Sequence, residues 1–170
     1  MNSSLTINNV VRFFVLLLVQ VLILQNINVS TYINIFIYPM FILLLPVRTP
    51  HWLVIFLSFL LGLFIDIFYT TYGMHAAVST FTAYLRGLVM RIIQPRGGYT
   101  TDRTPNRRML GDTWYIQYAA LFLSIHILVL IIIEHLGLPF TVDIIYRYIL
   151  TYLFSLVIVV LPQFIFPVKR

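Results

Sequence analysis

Apolar positions form long unbroken runs along this chain, separated by short polar joints rather than alternating with polar positions. A helix that crosses a bilayer needs about 20 mostly apolar residues. Six stretches approach that length: about Val10–Ile27, Thr31–Val47 (which carries Pro39 and Pro46), Trp52–Tyr69, Thr71–Ile92, Thr113–Ile133 and Ile144–Phe166. The fourth is the least apolar. The pattern predicts an all-α integral membrane protein of six transmembrane helices in a single domain spanning 1–170. Residues 93–112 are rich in Pro, Gly, Thr and Arg and read as a polar loop between a four-span part and a two-span hairpin.

The distribution of charge orients this layout. With six crossings, Arg12, Arg48, Arg86, Arg91, Arg96, Arg103, Arg107, Arg108, Lys169 and Arg170 share one side, and Arg147 alone lies on the other. An excess of Lys and Arg marks the cytoplasmic side. Both termini and the basic loop, with Arg96, Arg103, Arg107 and Arg108, are therefore expected in the cytoplasm. Arg86 and Arg91 fall in the last turns of the fourth span and are expected to snorkel toward that face. No signal-peptidase site follows the first apolar run, so it reads as an uncleaved span. Beyond fixing topology, the basic loop could attract anionic lipid headgroups.

Composition narrows the function classes. Residues of the AVILMFWYC set make up 61% of the chain and charged residues 9%, far from the balance of a soluble domain. The net charge of +6 is accounted for by the topology bias, and no basic face with interleaved stacking residues suggests nucleic acid. Without cysteine, thiolate zinc sites and Cys nucleophiles are excluded. No G-x-S-x-G, P-loop, G-x-G-x-x-G or H-E-x-x-H occurs. The sequence therefore offers no catalytic residue, metal ligand set or cofactor motif. His75, Glu134, His135 and Asp143 read as interfacial polar residues, and Asp143 and Arg147 as an i, i+4 ion pair.

Charge inside a span needs a reason, and Asp66 is the clearest case. Ser58, Gly62 and Asp66 recur every four residues on one stripe of the third span. The fourth span answers with Gly73, Ala76, Thr80, Ala83 and Gly87, and small residues let membrane helices approach closely. A tight hairpin of spans three and four follows, with Asp66 at its outer tip. There Asp66 would cap backbone amides of the turn or pair with His75; the alternative is an ion or proton relay. Gln20, Gln117, Ser124, Tyr148, Thr151, Tyr152 and Ser155 read as interhelical hydrogen-bonding groups, and Trp52 and Trp114 as belt residues at the cytoplasmic ends of spans three and five.

The segment from Tyr38 to Arg86 resembles the MreD family of rod shape-determining proteins. It carries a Pro-bearing second span (Tyr38-Pro-Met-Phe-Ile-Leu-Leu-Leu-Pro46), Gly62-x-x-x-Asp66, and Gly73-x-His75-Ala76-Ala opening the fourth span. The resemblance implies a fold similar to the substrate-binding subunits of energy-coupling-factor vitamin transporters. It implies a non-enzymatic scaffold and regulator in the bacterial inner membrane, working in cell shape and peptidoglycan synthesis. The implied partners are MreC, together with MreB, RodA and the penicillin-binding transpeptidase that accompanies RodA. Ser58, Gly62, Asp66, Gly73, His75 and Ala76 would then build the hairpin that sets the outer surface. The same fold likeness keeps a second expectation open, a small-molecule transporter subunit with a polar cavity lined by Asp66, His75, Tyr148 and Tyr152.

Overall fold

A computed structural model describes residues 3–27, 32–95, 98–99, 104–137, 139 and 141–165. The chain is 78% helical with no strand among the described residues. The helices are α1 (Ser3–Leu18), α2 (Pro39–Leu43), α3 (His51–Tyr69), α4 (Met74–Ile92), α5 (Arg107–Leu110), α6 (Asp112–Glu134) and α7 (Val142–Ile165). Helix α1 continues through a π-helical turn, Val19–Ile23, and a 3₁₀ turn, Leu24–Asn26.

Among the described residues, four stretches are long and apolar enough to cross a membrane: Ile7–Asn26, His51–Tyr69, Asp112–Glu134 and Val142–Ile165. They match the first, third, fifth and sixth expected spans to within a few residues at each end. Helix α4 has the length of a span, but nine of its residues are buried, four of them polar or charged: His75, Ser79, Thr82 and Arg86. Large apolar side chains such as Phe14, Leu22, Phe56, Ile67, Phe154 and Val157 project outward from α1, α3 and α7. Bundles of this kind turn such faces to lipid, because there is too little interior to cover them.

The second expected span is not a long helix. Residues 33–37 run extended, and only the five residues Pro39–Leu43 are helical. Ile33, Ile35, Phe36, Ile37 and Tyr38 are β-branched or aromatic types that favour extended backbone. Pro39 has a φ suited to starting a helix, and Pro46, which lacks an N–H, follows its end. Hydropathy registers the run as apolar but does not distinguish the two conformations. Every residue from Ile35 to Leu45 is buried. Non-helical backbone at membrane depth is tolerated where protein encloses it.

The core gathers around this segment: Tyr38, Phe41, Ile42, Leu61, Ile65, Tyr115, Tyr118, Phe122 and Ile127 are all almost fully enclosed. The most extensive helix pairing is α3 with α4, followed by α4 with α6 and α6 with α7.

Candidate functional site

Two linked clusters of buried polar groups organise the bundle. The first is the α3–α4 hairpin. Helix α3 ends at Thr70, which adopts the left-handed conformation at φ 55°, and α4 begins after Gly73 at φ 86°. Asp66 reaches across this turn. Its Oδ1 accepts the Thr71 hydroxyl at 2.6 Å and the His75 amide at 2.9 Å, and its Oδ2 accepts the Ala76 amide at 2.8 Å. The carboxylate thus satisfies two first-turn amides of α4 that have no intrahelical partner, at the end where the helix dipole favours negative charge. One turn back, a Cβ on Gly62 would fall 2.5 Å from the His75 carbonyl oxygen and 2.6 Å from the Ala76 Cα. Ser58, one turn further, is buried and donates to the Val54 carbonyl at 2.7 Å.

The expected stripe Ser58, Gly62, Asp66 is therefore one face, and Gly62 and Asp66 both meet His75 and Ala76. The answering stripe on α4 is only partly so. Ala76 and Ala83 are buried, whereas a Cβ at Gly73 or Gly87 would meet nothing within 4 Å. Gly87 is exposed and does not pack against α3. Gly73 serves the turn through its positive φ, a conformation that costs glycine nothing.

The second cluster holds residues 32–45 in place, and sequence reasoning missed it. In extended backbone, successive residues turn their N–H and C=O groups to opposite edges. On one edge, Gln20 donates from Nε2 to the Ile35 carbonyl at 3.0 Å and accepts the Ile37 amide at 2.8 Å. On the other, Thr151 accepts the Asn34 amide at 3.3 Å and Ser155 the Phe36 amide at 2.9 Å. Side chains from α1 and α7 thus stand in for neighbouring strands. Gln20, Thr151 and Ser155 were expected to bond between helices; Gln20 does so, to the Tyr69 hydroxyl of α3 at 2.8 Å, and also bonds backbone, whereas Thr151 and Ser155 bond backbone instead. Gln20 lies in the π-helical turn of the first span.

At the segment's other end, the carbonyls after α2 face side chains. Tyr118 donates to Leu43 O at 3.4 Å and Arg12 to Leu44 O at 3.0 Å. Arg86 donates to the Leu45 carbonyl and, through Nε, to the Tyr118 hydroxyl at 3.0 Å. This corrects the expectation for Arg86. It does not snorkel to a surface or belong to the basic loop; it is 4% exposed. Three free carbonyls at a helix end inside the bundle need donors, and a guanidinium supplies several in a fixed fork.

Between the two ends stands Tyr38. Its hydroxyl lies 3.1 Å from His75 Nδ1 and 2.7 Å from His126 Nε2, and His126 Nδ1 lies 2.8 Å from Thr82 Oγ1. His75 joins the two clusters, since its backbone amide is held by Asp66 and its ring by Tyr38. Each of these residues was visible as a polar group in an apolar run, a signal that membrane burial makes informative. Their convergence was not, because they come from four separate segments.

The remaining expectations divide. Arg147 pairs with Glu134 at 2.7 Å, across the α6–α7 turn, rather than with Asp143. Ser124 and Tyr148 do form an interhelical bond at 2.7 Å. His135 Nδ1 bonds the Ile131 carbonyl of its own helix, and no group of three His, Cys, Asp or Glu residues suited to a metal occurs among the described residues. Trp52 is exposed, but Trp114 is buried and donates to Ile93 O at 2.8 Å, tying α6 to the end of α4. In the basic segment, Arg91 is exposed in the last turn of α4. Arg107 bonds both carboxylate oxygens of Asp112 and lies 3.8 Å over the Phe164 ring. Arg108 follows it in α5. Arg96 and Arg103 lie outside the described residues.

The cavity expected from Asp66, His75, Tyr148 and Tyr152 does not gather those four. Asp66 and His75 bond Thr71, the α4 amides and Tyr38. Tyr152 instead lines a shallow groove of about 670 Å³ with Gln117, Ser124 and Ile92–Gln94, along α6.

The fold and its outward apolar faces define a multi-pass helical membrane protein. Comparison with protein-family models, with curated proteins and with solved structures finds no match to this chain.

Proposed function

We propose that this chain is a non-enzymatic scaffold of the bacterial cell-wall elongation machinery, of the MreD kind, that binds MreC in the inner membrane. The observation that carries the reading is the junction of Gly62 and Asp66 with His75 and Ala76. Four of the residues on which the resemblance rests meet in one place, and the Asp66 carboxylate there holds backbone. Such a site fixes the shape of a surface. The apolar outer faces of α1, α3 and α7 offer contact area to partner helices, since packing contacts drive association within a bilayer.

In this reading the chain crosses the membrane six times, with both termini and the basic segment in the cytoplasm. Support comes from its contacts. Gln20 bonds Tyr69 at 2.8 Å and Gln25 bonds the Phe68 carbonyl at 3.1 Å, so α1 and α3 end side by side. Between them, residues 35–44 run from Gln20 back toward Arg12, a direction that supports a return pass. MreB, RodA and its transpeptidase partner are reached through the same assembly, and anionic lipid meets the arginines of 91–108.

Affinity capture of the tagged chain from its native bacterial membranes in mild detergent tests the proposal. MreC is expected to co-purify, and Asp66→Asn and Gly73→Ala, verified as folded by thermal melting, are expected to lower its yield and alter rod width. Absence of MreC, or full retention with normal width in both folded variants, overturns it.

The groove beside Tyr152, Gln117 and Ser124 favours a second reading, the substrate-binding subunit of a small-molecule transporter. A metabolite that co-purifies with the chain, and whose saturable binding is lost in Gln117→Leu, would support that reading in place of the scaffold.

A further inference from the structure

The hydrogen-bond chain through Tyr38 has a direction that can be read from its far end. Thr82 Oγ1 makes a short bond to the Val78 carbonyl, one turn back in α4. A carbonyl only accepts, and the hydroxyl is its donor in this bond, so the Thr82 proton points at Val78. The same oxygen is then an acceptor toward His126, whose Nδ1 at 2.8 Å must carry a proton. A neutral imidazole has one N–H; His126 Nε2 is therefore bare and accepts the Tyr38 proton across 2.7 Å. The Tyr38 oxygen is left with lone pairs, so His75 Nδ1 donates to it across 3.1 Å. The order is His75 N–H to Tyr38 O–H to His126, and His126 N–H to Thr82 O–H to Val78.

We propose that Thr82 is a positioning residue that fixes this order and with it the tautomer of both buried histidines, making the Tyr38 junction a lock rather than a proton path. A proton-conducting wire resets by reversing every bond along it. Reversal here would require the Thr82 hydroxyl to turn away from the Val78 carbonyl and donate to His126 Nδ1, giving up its own bond to the backbone. The direction also suits the neighbours. Asp66 and Tyr69 of α3 face His75, and Asp66 is already held by the α4 amides and Thr71. The Phe36 ring flanks His75 and the Phe122 ring stacks on His126. The lock ties residues 32–45 to α4 and α6 at one hydroxyl, and it stands whether or not MreC is the partner.

Nitrogen-15 NMR of the full chain, labelled at histidine and reconstituted in lipid nanodiscs, reads the tautomers directly, because protonated and bare ring nitrogens resonate in separate regions. His75→Asn and His126→Gln variants assign the signals. The wild type is expected to show His75 and His126 each protonated at Nδ1 and bare at Nε2. In Thr82→Val the His126 Nδ1 proton has no acceptor, so the chain should reverse: both histidines move to the Nε2–H form. Thr82→Ser should restore the wild-type pattern. In Tyr38→Phe the His75 tautomer should no longer respond to Thr82. An Nε2–H form of His126 in the wild type, or unchanged tautomers in Thr82→Val, overturns the proposal. If Thr82→Val does not fold, the wild-type tautomers and the combination of Tyr38→Phe with Thr82→Ser decide it: His75 protonated at Nδ1 in wild type supports the order, and the opposite form refutes it.

Discussion

Gly62 and Ala76 approach so closely that a single added carbon on Gly62 would fall 2.6 Å from the Ala76 Cα. The obstructing atoms are backbone, which cannot rotate away. Gly62→Ala should force α3 and α4 apart and lose the Asp66 bonds with them. Overpacking of this kind costs about 1–3 kcal/mol, occasionally more. Thermal melting in detergent should show a clear fall in Tm for Gly62→Ala, whereas Gly87→Ala, where a Cβ meets nothing within 4 Å, should melt like the wild type or slightly above it.

Asp66 acts through both of its oxygens, so its substitutions should be graded. Asp66→Asn keeps one acceptor and loses the charge opposite the α4 N-terminus. Asp66→Ala leaves the His75 and Ala76 amides without a partner. Caps are worth about 0.5–2 kcal/mol, and a buried orphan donor costs about 1–3 kcal/mol. Thermal melts should rank wild type above Asn and Asn above Ala. Equal stability of all three would mean the amides find other acceptors.

Loss of the side chains that bracket residues 34–37 should loosen that segment before the bundle melts. Gln20→Leu removes the partners of Ile35 O and Ile37 N–H, and Ser155→Ala that of Phe36 N–H. Amide hydrogen exchange at positions 35–37 should quicken by about 10-fold for each orphaned group of about 1.4 kcal/mol. Exchange in the middle of α6 should be unaffected.

Arg86 should not tolerate the conservative exchange. Lysine has a point charge where the guanidinium fork reaches both the Leu45 carbonyl and the Tyr118 hydroxyl. Arg86→Lys should lower Tm through loss of one of those bonds and poorer solvation of a buried ammonium. Arg91→Lys, exposed at the end of the same helix, should leave Tm unchanged.

Gly73 carries φ 86° at the start of α4. Alanine there meets no atom but must hold a left-handed conformation, at a cost of about 1–2 kcal/mol. Gly73→Ala should therefore lower Tm, and Gly73→Asn by less, because asparagine visits that region more readily. The comparison separates backbone strain from packing.

Much of the hairpin is legible in the sequence alone. Residues four apart lie on one helical stripe, so Ser58, Gly62 and Asp66 had to share a face, and the small residues of α4 supplied a surface for them to meet. What the stripe did not reveal was which small residue matters for space and which for backbone shape. Gly62 proved to be the first and Gly73 the second. The ion pair of Arg147 was misassigned for a related reason. Spacing of four permits a bond to Asp143, but the turn between α6 and α7 brings Glu134 within 2.7 Å, and only the path of the chain decides between them.

Local chemistry sets hydropathy and helical period, so the linear order of residues determined that this is a membrane-embedded helical protein with a close α3–α4 contact at Asp66. Tertiary structure decided the fate of residues 32–45. A run of apolar residues can be helix or extended chain, and the difference rests on who bonds its amides and carbonyls. Here the donors and acceptors come from Arg12, Gln20, Arg86, Tyr118, Thr151 and Ser155, on four helices distant in sequence. Backbone hydrogen bonds must be satisfied inside a bilayer, and when the partners are side chains from elsewhere in the chain, only the assembled bundle shows where they are.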